Sequence, residues 1–136
     1  RFVRRLRMQD FGYHKKEEFC CPCCKLFGIA EESLRKFLEA EKLSGMIFEI
    51  QQAYRCPDYN KKLGKCERSS HLTGNAFNIF CYDLKNHKKI FSKRKAFLIV
   101  ESCMKVGFLR IGINFKDCYI HVDDDNLKRN KILFGY

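Results

Sequence analysis

The stretch Cys20-Cys21-Pro22-Cys23-Cys24 constrains this chain more than any other. It contains two overlapping C-x-x-C pairs, the spacing that lets two thiolates reach one zinc ion through a tight turn. A closed structural site needs two further ligands, and Cys56 and Cys66 are the obvious partners, giving Cys20, Cys23, Cys56 and Cys66 as a candidate set for a structural Zn2+. The chain has nine cysteines, an odd number, so complete disulfide pairing is excluded and at least one thiol is free or bound to metal. Two other readings stay open: a disulfide involving the cluster, and ordinary free thiols in a reducing compartment.

The 136 residues, 46% of them apolar, are enough for one domain with a sizeable core. Neither a repeat nor a low-complexity linker argues for a second domain. No run of about 18 apolar residues spans a membrane, and no apolar stretch follows the N-terminal charges as in a secretion signal, so a soluble chain is expected. Residues 1–18 read as a basic N-terminal extension and residues 19–136 as the folded domain. The net charge of +11 implies attraction to an anionic surface, whether nucleic acid, acidic lipid or a carboxylate-rich cell wall. The basic residues cluster at Arg1 to Arg7, Lys85 to Lys95 and Lys128 to Lys131 without interleaved aromatics. Solvated faces and tails explain them better than a single-strand nucleic-acid groove does.

Between Glu31 and Leu43, Leu34, Phe37 and Leu38 fall at i, i+3 and i+4 among charges, which predicts an amphipathic helix ended by Ser44-Gly45. Met46 to Tyr54 reads as a strand. Pro57, with Asp58 close behind, opens a short helix that stops near Gly64, and a loop carries Lys65 to Ser70. Asn75 to Tyr82 alternates and is rich in Phe and Ile, which predicts a central strand followed by a basic turn at Asn86-His87-Lys88. Ser92 caps a helix to about Val106, with Ala96, Phe97, Val100, Cys103 and Met104 as its apolar stripe and Gly107 as its stop. Phe108 to Asn114 and Cys118 to Asp123 make a hairpin around Lys116-Asp117. The order predicts an α+β single domain, a central antiparallel sheet with helices packed on it.

Two histidines stand where chemistry is expected. His71 sits at a loop-to-strand junction beside Gly74, which allows close backbone approach, and His121 lies in the last predicted strand. A catalytic zinc needs three protein ligands and an open position for water, and two strand-borne histidines supply part of that set. Spacing alone leaves an ordinary core or surface role for each.

Four segments, Tyr54-Arg55-Cys56-Pro57-Asp58-Tyr59-Asn60, Ser69-Ser70-His71-Leu72-Thr73-Gly74-Asn75-Ala76-Phe77-Asn78, Arg110-Ile111-Gly112-Ile113 and Tyr119-Ile120-His121-Val122-Asp123, occur in an order and spacing that resemble one family. These are the zinc D-alanyl-D-alanine carboxypeptidases and L-alanyl-D-glutamate endopeptidases of peptidoglycan, among them vancomycin-resistance peptidases and phage endolysins. The resemblance runs from about Phe19 to Asp123. It implies a catalytic Zn2+, a peptidoglycan peptide as substrate, His71 and His121 as metal ligands, Arg55 as the group that steadies the substrate carbonyl, and Ser70 as a substrate-side residue.

Two positions depart from the family pattern. The middle ligand, an aspartate in the family, is Asn78, a neutral amide that coordinates weakly through its oxygen, so weakened or lost zinc binding follows. The acidic base three positions before the last histidine is Cys118, with Asp117 one place off. Bringing Asp117 into the base position takes a register slip or bulge. Asp123 shares the face of His121, roughly 7 Å along the strand, and is placed to be a supporting carboxylate or a replacement ligand. Cys118 as a thiolate ligand is a further option. The leading expectation is a zinc peptidase whose proton moves through Asp117 or Asp123. The alternative is an inactive descendant that keeps the fold and binds cell-wall peptide, a protein partner or nucleic acid through its basic surface.

Overall fold

A computed structural model describes residues 11–136. Helix α1 (Glu31–Ser44) carries Glu31 and Glu32 in its first turn, where the helix dipole favours acids, and ends at Gly45 in the left-handed conformation. It buries Leu34, Phe37 and Ala40 on one face. After β1 (Ile50–Gln52), α2 (Pro57–Lys62) opens with proline in its first turn. Of the stretch expected as a strand from Met46 to Tyr54, only β1 is regular strand, and its register against the next strand shifts between Ile50 and Gln52.

The predicted strand from Asn75 to Tyr82 is two strands. β2 (Ala76–Phe80) lies in the main sheet, whereas β3 (Tyr82–Lys85) forms a separate hairpin with β4 (Lys88–Phe91). Asn86 and His87 both have positive φ, as the tight turn of such a hairpin requires. Helix α3 (Lys93–Val106) starts at Ser92, whose hydroxyl accepts the Lys95 amide, and stops at Gly107. Its buried face is Ala96, Ile99, Ser102 and Cys103. Phe97 and Met104, expected in the stripe, are exposed, because the row facing α1 is the neighbouring one round the helix.

β5 (Arg110–Asn114) and β6 (Tyr119–Asp123) form the predicted hairpin. β7 (Ile132–Gly135) adds to β5 in parallel, so the sheet, in the order β1-β2-β6-β5-β7, is mixed rather than wholly antiparallel. The domain is α+β with its helices packed on that sheet.

Strand alternation sorts the sheet's two faces. Phe77, Ile79, Ile120 and Val122 point into a core shared with Phe19, Phe37, Phe48 and Phe108, all essentially inaccessible to water. Each such ring contributes about 1.5–3 kcal/mol by burial. Phe37 and Phe77 lie 4.5 Å apart between ring centres, which locks α1 to β2. The expected basic extension over residues 1–18 falls in part outside the described residues; within them, Phe11 and His14 are buried against this core, with His14 Nε2 2.6 Å from Glu41 Oε2. The opposite face carries Asn78, His121 and Asp123, and that face is where chemistry is possible. No helix among the described residues is long and apolar enough to cross a membrane.

Candidate metal centre

Asn78 and His121 are direct partners across β2 and β6, so register alone puts their side chains together. His71 reaches the same point from the loop before β2. That loop is held by a close backbone approach at Gly74, where φ is +74° and a Cβ would lie 1.9 Å from the carbonyl oxygen of Gly28. His71 Nε2 is 3.1 Å and His121 Nδ1 3.0 Å from Asn78 Oδ1. The remaining ring nitrogens have fixed roles. His71 Nδ1 donates to the carbonyl of Ala53 at 2.6 Å, and His121 Nε2 donates to Asp123 Oδ2 at 2.7 Å.

With those protons committed outward, His71 Nε2 and His121 Nδ1 present lone pairs to the Asn78 side chain. Asn78 Nδ2 donates to Gln51 Oε1 at 3.0 Å, which leaves Oδ1 facing both histidines. Three acceptors therefore converge with no proton among them, an arrangement that a cation relieves. The separations are close to the roughly 3.3 Å between ligand atoms around tetrahedral zinc with nitrogen and oxygen donors. The donor set fits the metal. It also fits a second state, in which the amide is turned and Nδ2 donates to both histidines. Burial holds the pKa of His71 well below the usual histidine value, and the neighbouring His121 and Arg55 push it the same way, so its ring is neutral and its lone pair available.

The three residues line a cavity of about 440 Å³ that also includes Arg55, Ser70, Asp117 and Asp123. Arg55 is buried, which lowers its pKa, and its Nη2 donates to Ser69 Oγ at 3.0 Å. Its Nε is buried without a partner. The hydroxyl of Ser70 is spent on Asp125 Oδ2 at 2.8 Å, so the serine that touches Arg55 is Ser69. Asp123, almost fully buried, accepts from His121, from Arg110 Nε at 3.0 Å and from the Asp125 amide. It sits behind His121, across the ring from Asn78. Asp117 lies at the cavity wall in the β5–β6 turn, where its amide donates to Asn114 Oδ1. Cys118 has positive φ and packs its thiol near the carbonyls of Lys89 and Phe115, away from the histidine pair.

Three residues of this site have no role assigned from sequence: Gln51 and Phe134 lie outside the four motif segments, and Arg110 lies within one. Gln51 orients Asn78, and Arg110 neutralises Asp123. Phe134, on the unpredicted β7, lies 5.6 Å from the His121 ring and lines the cavity. It comes that close because Gly112 faces it, where a Cβ would meet the ring at 2.3 Å. Pairing arithmetic would have found Arg110, since it sits opposite Asp123 across the hairpin.

A separate cluster joins Cys21, Cys23, Cys24 and Cys56, whose sulfur atoms all lie within 4.8 Å of one another and which can hold a metal ion. Cys20 and Cys66, expected in this set, are not in it. The Cys20 thiol turns to the carbonyl of Lys16 at 3.5 Å, and Cys66 is exposed in the loop after α2, accepting the Arg68 amide. Cys21, fully buried, takes the place of Cys20, and Cys24 completes the four. Burial alone would raise the Cys21 thiol, but amide hydrogen bonds from Cys56, Cys24 and Cys23 draw its pKa down to about 6.

A family model described as Peptidase M15 matches residues 2–123 of the chain, a span that contains both the histidine pair and the cysteine cluster. No curated protein matches it.

Proposed function

From its membership of the Peptidase M15 family, we propose that this chain is a zinc metallopeptidase that hydrolyses a D-amino-acid-containing peptide bond of the bacterial cell wall. The observation that carries this reading is the convergence of His71 Nε2, His121 Nδ1 and Asn78 Oδ1 as three inward-facing acceptors. Those three residues would hold zinc. When bound, the metal supplies a Lewis acid and a water acidic enough to attack a carbonyl near neutral pH.

The chain's own residues do the rest. Ala53 and Asp123 fix the tautomer and direction of the two histidines, the support that metal-bound imidazoles require. Arg55 offers its unpartnered Nε to the oxygen of a peptide substrate, and Ser69 steadies the guanidinium. Asp117, at the cavity wall, is the carboxylate with freedom to take and return a proton, because Asp123 is already committed to His121 and Arg110. The basic surface suits a wall rich in carboxylates.

A second reading rests on the same amide. With Asn78 Nδ2 turned inward, two donors meet two histidine acceptors and the centre is satisfied without metal, leaving a pocket that binds peptide and does not cut it. Zinc titration of the wild-type chain and of Asn78→Asp, with peptide release from peptidoglycan as readout, separates the two. The peptidase reading expects zinc in the wild type, release above background, and at least a tenfold rise in zinc affinity with the acidic ligand, about 1.4 kcal/mol. A wild type that binds no zinc at the histidine pair and releases nothing supports the binding pocket.

A further inference from the structure

We propose that Cys21, Cys23, Cys24 and Cys56 form a closed tetrathiolate zinc site, independent of the histidine pair, that pins the N-terminal turn to the segment carrying Arg55. Zinc–sulfur bonds of about 2.3 Å in a tetrahedron put the sulfurs about 3.8 Å apart. Here Cys21 and Cys23 lie 3.6 Å apart and Cys23 and Cys56 3.3 Å, with all four thiols mutually within 4.8 Å. These separations suit ligands sharing an ion.

The surroundings are those of a thiolate site. The amide of Cys56 donates to Cys21 Sγ and that of Tyr59 to Cys56 Sγ, each at 3.4 Å, so backbone donors already support negative sulfur. The turn is tied independently of its thiols: the Cys21 amide donates to the Leu26 carbonyl, and the Lys25 amide to that of Cys21, both at 2.9 Å. Cys23 and Cys24 are exposed, which gives an ion its way in, while Cys21 and Cys56 are buried. Four protein sulfurs leave no position for water, so the site is structural rather than catalytic. Binding converts each remaining thiol to thiolate and releases its proton to solvent, with no change of oxidation state.

Position gives the site its consequence. Cys56 directly follows Arg55, whose amide donates to the His71 carbonyl at 3.2 Å. The cluster therefore braces the strand-to-helix junction that presents the guanidinium to the cavity, while residues 21–24 lie far upstream in sequence. Metal at the cluster closes that long loop.

The test uses the full chain carrying His71→Ala, which removes the other centre, so that the fate of the peptidase reading does not affect the result. Purified under reducing conditions, this variant is expected to hold one zinc per chain, and Cys23→Ser or Cys24→Ser added to it should lower that content, while Cys66→Ser leaves it at one. Replacing zinc with cobalt should give the intense thiolate-to-cobalt charge-transfer absorption that histidine and amide ligands do not produce. Chelation should speed amide hydrogen exchange across residues 20–27 and 54–58. A His71→Ala chain that holds no zinc, lacks the cobalt absorption, or shows a Cys23–Cys56 disulfide in its place would overturn the proposal.

Discussion

His121 and Asp123 occupy the same face of β6, and Asp123 Oδ2 lies 2.7 Å from His121 Nε2, on the far side of the ring from Asn78. The carboxylate is almost fully buried, with Arg110 as its counter-charge. It therefore fixes which nitrogen of His121 is free to face the centre, without itself reaching that centre.

Asp123→Asn is accordingly expected to weaken zinc binding by about 10–100-fold, the usual effect of losing the partner of a metal-bound histidine. Competition with a chromophoric chelator measures it. An unchanged affinity would mean that Asp123 serves only the Arg110 ion pair.

Arg55 gives a different signature. Its Nη2 is engaged by Ser69 whereas its Nε is buried and unpartnered, and the peptidase proposal assigns a substrate oxygen as the acceptor for that Nε. Arg55→Lys should lower kcat/KM for peptide release by about 10²-fold, as loss of one oriented donor does, with zinc content unchanged. Steady-state kinetics beside metal analysis checks both halves.

The sequence makes the histidine centre legible because its geometry is nearly all register. Two residues opposite each other in paired strands must meet, and the motif around Gly74 brings in the third. The cysteine cluster is harder, since overlapping C-x-x-C pairs do not say which members point inward. The burial of Cys21 and the turn of Cys20 toward the Lys16 carbonyl settle that choice. β7 escapes because its four residues, Ile132–Gly135, carry too little alternation to read, and its pairing with β5 depends on the distant edge already built. Asp117 and Cys118 are ambiguous in sequence because one place of register decides which faces the cavity; the β5–β6 turn, with Cys118 at positive φ, leaves Asp117 at the wall.

His14 should make stability depend on pH. Burial pulls its pKa down, but hydrogen bonds to Glu41 and Glu18 outweigh that and raise it above the ordinary value. A raised folded pKa means that the ion pair's contribution is fully present below the unfolded value of about 6.5 and fades as pH climbs through the folded value. Urea unfolding of wild type and His14→Gln should therefore show a wide gap near pH 5.5 and a narrower one near pH 8.5. His14→Ala, which leaves the buried Glu41 carboxylate without its partner, is expected to cost about 3–5 kcal/mol at the lower pH.

The zinc content of the wild-type chain, set beside those of His71→Ala and Cys23→Ser, tests the histidine centre most directly. Two zinc ions per chain are expected in the wild type; His71→Ala should remove the one at the histidine pair and Cys23→Ser should deplete the one at the cysteine cluster. A wild type holding a single zinc that His71→Ala leaves in place would contradict the metallopeptidase reading and leave Asn78 as the amide that bridges two histidines in an empty centre.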